Sequence, residues 1–205
     1  MSDPGSFWDA RFAAEHYVYG TAPNDFLAAE AARIPAGGAV LSLGEGEGRN
    51  ATFLAGRGHA VTCVDASIEG LRKTERLAAA RGVRLTLVHA DLADYAPAPG
   101  AFAGVISIYC HLPPAVRRLA LARAAAALAP GGVLLLEAYT PRQLRHGTGG
   151  PRDEALLVEP AALREELGGL ELAVLRELER DVHEGVFHHG RSAVVQAVAV
   201  KPAGG

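Results

Sequence analysis

From Val40 onward, short apolar runs alternate with stretches of helical period. This rhythm predicts strands near 39–43, 60–65, 84–88, 103–109 and 132–138, with helices near 49–57, 67–81 and 114–128 between them. Strands that alternate with helices favour a parallel sheet covered on both faces. Further on, 163–167 reads as another helix, and 170–178 and 192–200 as the last two strands. Only the polar stretch 181–190 separates those strands, which is a hairpin connection, so an antiparallel strand enters the sheet at its end. Ahead of Val40, 7–16 and 24–33 read as helices, the second opened by Asn24-Asp25 and stopped before Pro35. The expected fold class is α/β. It is one doubly wound, Rossmann-like sheet, mostly parallel with a final antiparallel strand, in which 1–36 form an N-terminal helical lid and 37–205 the core.

The first strand runs into Leu43-Gly44-Glu45-Gly46-Glu47-Gly48, three glycines spaced by two, and then into the helix that begins at Arg49-Asn50. Such a strand-to-helix turn hands a nucleotide-type ligand to a helix N-terminus, and glycine lets the backbone approach closely because no Cβ intervenes. One unit later Asp65 closes the second apolar run, where a carboxylate can accept both hydroxyl hydrogens of a ribose. Glu45 and Glu47 argue against a nicotinamide dinucleotide, since carboxylates inside the turn repel a pyrophosphate and favour a ligand with a cationic sulfonium or ammonium group. The run also lacks the last glycine of GxGxxG, because Ala51 and Thr52 follow Asn50.

On these residues the chain resembles the class I S-adenosylmethionine-dependent methyltransferases. Phe7-Trp8 and Tyr17-Val18-Tyr19-Gly20-Thr21-Ala22-Pro23-Asn24-Asp25-Phe26-Leu27, with Gly46-Glu47-Gly48-Arg49-Asn50, are most similar to the tellurite-resistance and thiopurine methyltransferase-like branch. The resemblance implies S-adenosyl-L-methionine as cofactor and S-adenosyl-L-homocysteine as product. It also implies a cofactor site at the strand ends: Gly44, Glu45, Gly46, Gly48 and Asn50, then Asp65, Ala66 and Ser67, then Asp91 and Leu92, then Ser107. Within it, Asp65 would hold the ribose, Asp91 the adenine amino group, and the Leu92 amide the ring. Tyr17 and Tyr19 would close over the sulfonium by cation–π attraction, roughly 0.5–2 kcal/mol when desolvated. Trp8, the only tryptophan, either does the same or packs in the core.

Methyl transfer asks the enzyme mainly to align a nucleophile, so few acid–base groups are expected. A soft nucleophile, a thiolate or an oxyanion of tellurium or selenium, needs a cationic seat rather than a strong base. His188, His189 and Arg191, in the stretch between the last two strands, are the expected seat, by position and by resemblance. His111 either faces the transferring methyl or caps the helix that follows it. Cys110 reads as a buried small side chain, and the basic, glycine-rich 140–151 as a surface loop.

At 205 residues and a formal charge of -3, the chain is one domain with no basic stripe for nucleic acid. No apolar run is long enough for a membrane span, and no signal region opens the sequence. Cys63 and Cys110 stand in no disulfide or zinc spacing, which points to free thiols, no metal site and the cytoplasm. The expected partner is a small-molecule acceptor, with the chain a monomer or homodimer. Two other readings carry distinguishing features: an N- or O-methyltransferase, for which Ser107-Ile108-Tyr109-Cys110 lacks the Asn/Asp-Pro-Pro-Tyr pattern of amine methylation, and a non-catalytic cofactor-binding protein on the same fold.

Overall fold

A computed structural model describes residues 4–203. Residues 1–3 of the expected lid and 204–205 of the expected core lie outside the described residues. The strands are β1 (Ala39–Leu43), β2 (Ala60–Asp65), β3 (Leu85–His89), β4 (Phe102–Ile108), β5 (Leu128–Tyr139), β6 (Glu171–Glu184) and β7 (His188–Val200). They form one seven-stranded sheet in the order β3-β2-β1-β4-β5-β7-β6. Pairing is parallel from β3 to β5, while β7 runs antiparallel to both β5 and β6.

The period-two pattern of the central strands explains why both faces are covered. Leu41, Leu43, Leu134 and Leu136 point into one core with α5 (Pro114–Ala127) and the residues Leu163 and Leu167 around α6 (Pro160–Glu166). Val40, Val133 and Leu135 point into the other, with α2 (Asp25–Glu30) and α3 (Arg49–Gly56). Helix ends follow local chemistry: Asn24 caps α2 by accepting the Leu27 amide, and Ser67 caps α4 (Ile68–Ala80) by accepting the Gly70 amide. Pro114 and Pro160 sit at the first positions of α5 and α6, where a missing N–H costs nothing.

Several boundaries differ from the sequence reading: the first helix, α1 (Pro4–Phe12), begins at Pro4, β5 at Leu128 and α6 at Pro160, each three or four residues earlier than expected. Helix α1 also stops before His16, whose carbonyl accepts the Lys73 ammonium of α4 at 2.7 Å and so turns away from a helical partner. The second expected helix is α-helical only to Glu30 and closes as a 3-10 turn over Ala31–Arg33. The expected ten-residue connection before the last strand shrinks to the turn between Glu184 and His188, because β6 and β7 pair as far as Glu184 with His188. Residues 183, 184, 188 and 189 therefore lie in strands, and their side-chain directions are set by the pleat.

Candidate functional site

Beyond the carboxyl ends of the parallel strands, where an open α/β sheet binds its ligands, lies a cavity of about 570 Å³. Its floor is the glycine turn. Gly44 takes φ +60, and a Cβ there would stand 2.6 Å from the Cys110 sulfur, so the turn has room only for hydrogen. Asp65, at the end of β2, holds the turn in place: one carboxylate oxygen accepts the Gly46 amide at 2.7 Å and the other accepts the Ser67 amide at 2.8 Å. Each oxygen keeps a further lone pair for a ligand hydroxyl. Burial pushes the Asp65 carboxyl up from its ordinary range, and those two amide bonds oppose the shift.

The two glutamates of the turn do work that their charge alone does not disclose. Glu45 is buried, accepts from the Ser42 hydroxyl, and takes the Asn50 and Ala51 amides at 3.1 and 2.9 Å. An internal carboxylate thus fills the N-terminus of α3, the position a pyrophosphate would need. Glu47 turns the other way. It accepts the Val18 and Tyr19 amides at 3.1 and 3.0 Å and pairs with the Lys73 ammonium, so it fastens the N-terminal segment over the cavity. Asp9 of α1 adds a second fastening by accepting from Ser67 and from the Glu69 amide. A third comes from the β6–β7 turn, where the Val186 amide donates to the Val18 carbonyl at 3.0 Å.

Of the expected cofactor residues, Trp8, Tyr19, Gly44, Glu45, Gly46, Asn50, Asp65, Ala66, Asp91 and Leu92 line the cavity. Four do not. Tyr17 lies on α4, its hydroxyl donating to the Lys73 carbonyl and its ring beneath the Lys73 ammonium. Gly48 serves packing, since a Cβ there would meet Thr74 of α4 at 2.8 Å. Ser67 is a helix cap joined to Asp9, and Ser107 faces a void of about 10 Å³ on the α5 side of the sheet. Of these two tyrosines, Tyr19 faces the cavity and Tyr17 does not.

The acceptor end is partly as expected. His188 is buried, lines the cavity and stands within 4.5, 4.7 and 5.2 Å, ring to ring, of Tyr19, Tyr109 and Tyr139. Burial and the neighbouring Arg49 hold its imidazole neutral, well below the usual histidine range. His111 also lines the cavity, stacks near Tyr139 and bonds through Nδ1 to the Leu156 carbonyl. Burial pulls its pKa down to about 4, so it is neutral too. His189 reaches the cavity edge beside His183. Arg191 does not: it is exposed and pairs with Glu179, as does Arg142. His188 and His111, both held neutral, thus supply no positive charge at neutral pH.

The charge comes from residues that the sequence reading passed over. Arg49, the first residue of α3, is buried against the cavity, with one terminal nitrogen 2.5 Å from Glu184 of β6 and the other, Nη1, without a hydrogen-bond partner. Behind it, Glu137 of β5 accepts from Asn24, Tyr109 and Arg180, and Glu184 shares Asn24 and Arg180. Tyr109 is held so that its backbone sits at φ +53, the one non-glycine residue in the left-handed region among those described. Such strain marks positions where the surroundings over-determine a side chain's direction. The 140–151 stretch is anchored rather than loose: Gln143 bonds Thr148, the Gly149 carbonyl and the Ala193 amide, and the His189 amide donates to the Thr148 carbonyl.

Residues 40–132, just under half of the chain, match the family profile described as "Methyltransferase domain". That stretch of the protein is similar to methyltransferase domains. Solved structures share the whole fold of the chain. One from work on conversion of a disulfide bond into a thioacetal group in echinomycin biosynthesis has a TM-score of 0.79 at 21% identity, covering 98% of this chain and 93% of that one. N-methyltransferase NodS from Bradyrhizobium japonicum WM9, solved with S-adenosyl-L-homocysteine, scores 0.70 at 14% identity over 98% and 100%. TehB from Haemophilus influenzae scores 0.69 at 16% over 96% and 66%. No curated protein matches the chain by sequence. The domain match and these neighbours support an enzyme, with S-adenosyl-L-methionine as its cofactor. No helix among the described residues is long and apolar enough to cross a membrane.

Proposed function

We propose that the protein transfers the methyl group of S-adenosyl-L-methionine to a small soft nucleophile, a thiol or an oxyanion of tellurium or selenium. The observation that carries the cofactor is the pairing of Asp65, with lone pairs facing the cavity, and Glu45, which closes the α3 N-terminus to phosphate. A ribose-bearing ligand without a pyrophosphate fits that pairing, and a dinucleotide does not. Gly44 and Gly46 would give the close approach, Asp65 the ribose contact, Asp91 and Leu92 the adenine contacts, and Tyr19 an aromatic face for the sulfonium. When bound, the cofactor supplies an electrophilic methyl and leaves as S-adenosyl-L-homocysteine.

The chain's own residues shape the cavity and orient the nucleophile. The lid is fastened through Glu47 and Asp9, and the β6–β7 turn packs against it, which fixes the walls around the reacting atoms. Arg49 supplies the positive charge that stabilises an anionic nucleophile. Neutral His188, whose Nδ1 has no partner, offers the nucleophile a hydrogen-bonding lone pair, whereas both ring nitrogens of His111 are already bonded to the Leu156 carbonyl and the Tyr139 amide. A sulfur acceptor has further support in the fold likeness to the echinomycin-biosynthesis structure. Its two free cysteines favour a reducing compartment such as the cytoplasm, and the proposed partner is a small-molecule acceptor, with the chain a monomer or homodimer. A methyl-transfer assay with tellurite, selenite and a thiol panel tests the reading: turnover of one of these is expected, and S-adenosyl-L-homocysteine binding with turnover of amines alone would overturn the acceptor class.

A further inference from the structure

The cavity has arginines on its wall and apolar side chains at its mouth. Arg11, Arg49 and Arg152 line it; Arg49 pairs with Glu184 through one nitrogen, while Arg11 and Arg152 form no ion pair with any described carboxylate and Arg11 packs over the Phe187 and Phe7 rings at 4.6 and 5.6 Å. Three of the carboxylates on the cavity wall are already engaged: Glu45 by two amides and a hydroxyl, Glu47 by two amides and Lys73, Asp65 by two amides. Asp91, the fourth, accepts the Ala93 amide, and the cofactor's carboxylate is offset by its own ammonium, so Arg11 and Arg152 keep no paired counter-charge. Arg49 is only 6% exposed and its Nη1 has no partner, a costly condition for a buried donor unless a ligand completes it.

The mouth has the opposite character. Among the described residues, five large hydrophobic side chains are exposed, and four of them line this cavity: Phe7 at 55%, Leu144 at 46%, Val186 at 65% and Phe187 at 42%. They come from three separate elements, α1, the turn after β5 and the β6–β7 turn, so no one amphipathic segment accounts for them. Exposed apolar surface gathered around a concave site marks what the site binds. A bare, strongly hydrated oxyanion would use none of it.

Resting on the methyltransferase reading, we propose that the acceptor is an amphipathic organic anion, its charged group drawn to the arginines and its apolar body held by Phe7, Leu144, Val186 and Phe187. The class is a small carboxylate or comparable organic anion with an aromatic or aliphatic body, and the nucleophile belongs to that molecule.

The test uses the full chain with saturating S-adenosyl-L-homocysteine and three probes that separate charge from body: phenylacetate, benzyl alcohol and acetate. Trp8, the only tryptophan, lines the cavity and reports binding by its fluorescence. Phenylacetate is expected to bind at least tenfold more tightly than either of the others, and Arg49→Gln and, separately, Arg152→Gln to cut that preference at least threefold. Arg152 is exposed, so its variant keeps the test open where Arg49→Gln fails to fold. Equal affinity for phenylacetate and benzyl alcohol, or for phenylacetate and acetate, would overturn the proposal while leaving the cofactor assignment standing. Failure of S-adenosyl-L-homocysteine itself to bind would bring down the methyltransferase reading and this inference together.

Discussion

Glu47 and Lys73 meet 2.8 Å apart beneath the glycine turn, both almost wholly buried, and the same carboxylate accepts the Val18 and Tyr19 amides. One side chain therefore links the cofactor turn, the lid and α4. Glu47→Gln leaves the Lys73 ammonium buried without its counter-charge, a loss on the order of 3–5 kcal/mol. A lower melting temperature and faster proteolysis around residues 13–20 are expected, and an unchanged cleavage rate would show that the lid is fastened elsewhere.

Gly48 tests the packing role assigned to the last glycine of the turn. Alanine there must adopt φ +91 and bring its Cβ to 2.8 Å from the Thr74 backbone. The two strains together should cost at least about 1–3 kcal/mol, read as a lower urea midpoint. A wild-type midpoint would mean that α3 and α4 can separate freely.

How far the sequence reaches is clear from these elements. Strands β1 to β4 and helices α3 to α5 were legible to within a residue or two because their signals are local: an apolar run of period two, a cap, a proline at the first turn. The carboxylates Asp65 and Asp91 were legible because they end such runs. What lay hidden depends on partners far along the chain. Arg49 reads as an ordinary helix-start residue until Glu184 meets it, and His183, Glu184 and His188 look like a polar turn until Asn24, Arg180 and Glu137 show why polar groups sit in strands there. Tyr17 and Tyr19 both read as lid residues in sequence, with only the Gly-Thr-Ala-Pro run after Tyr19 to set them apart; the Glu47 bonds to this segment leave one ring on α4 and the other on the cavity. The glycine-rich 140–151 stretch looked loose because its anchor, Gln143, bonds to residues whose nearness no local pattern reveals.

Acid should expose the two buried imidazoles. His111 has its pKa pulled down to about 4 and His188 lies well below its ordinary value, so on acidification the unfolded chain takes up these protons first. Their contribution to stability is whole above about pH 6.5 and falls with decreasing pH at about 1.4 kcal/mol per unit for each histidine. Glu45 and Asp65, both raised by burial, run the other way across the carboxylate range, so the fall is steepest between pH 6.5 and that range. Urea midpoints at pH 7.5, 6.0 and 5.0 check the slope, which His188→Gln should flatten. A midpoint independent of pH would mean that both rings are solvated.

Tyr109→Phe removes one hydrogen bond to the buried Glu137 carboxylate and keeps the ring beside His188. A bond to a charged acceptor predicts a loss of roughly 1.5–3 kcal/mol. The backbone amide of residue 109 still donates to the Glu137 carbonyl, so the φ +53 turn should persist. Equal stability of the two proteins in chemical denaturation would show that the hydroxyl is dispensable to the network.

The central claim is that the strand-end cavity holds S-adenosyl-L-methionine through Asp65 and refuses a dinucleotide because Glu45 occupies the α3 N-terminus. Calorimetric titration of S-adenosyl-L-homocysteine and NADH into the full chain and into Asp65→Ala tests it most directly. The account predicts one-to-one micromolar binding of S-adenosyl-L-homocysteine, no binding of NADH, and at least a tenfold loss in the folded variant. Binding of NADH, or an affinity for S-adenosyl-L-homocysteine that survives the loss of Asp65, would contradict it.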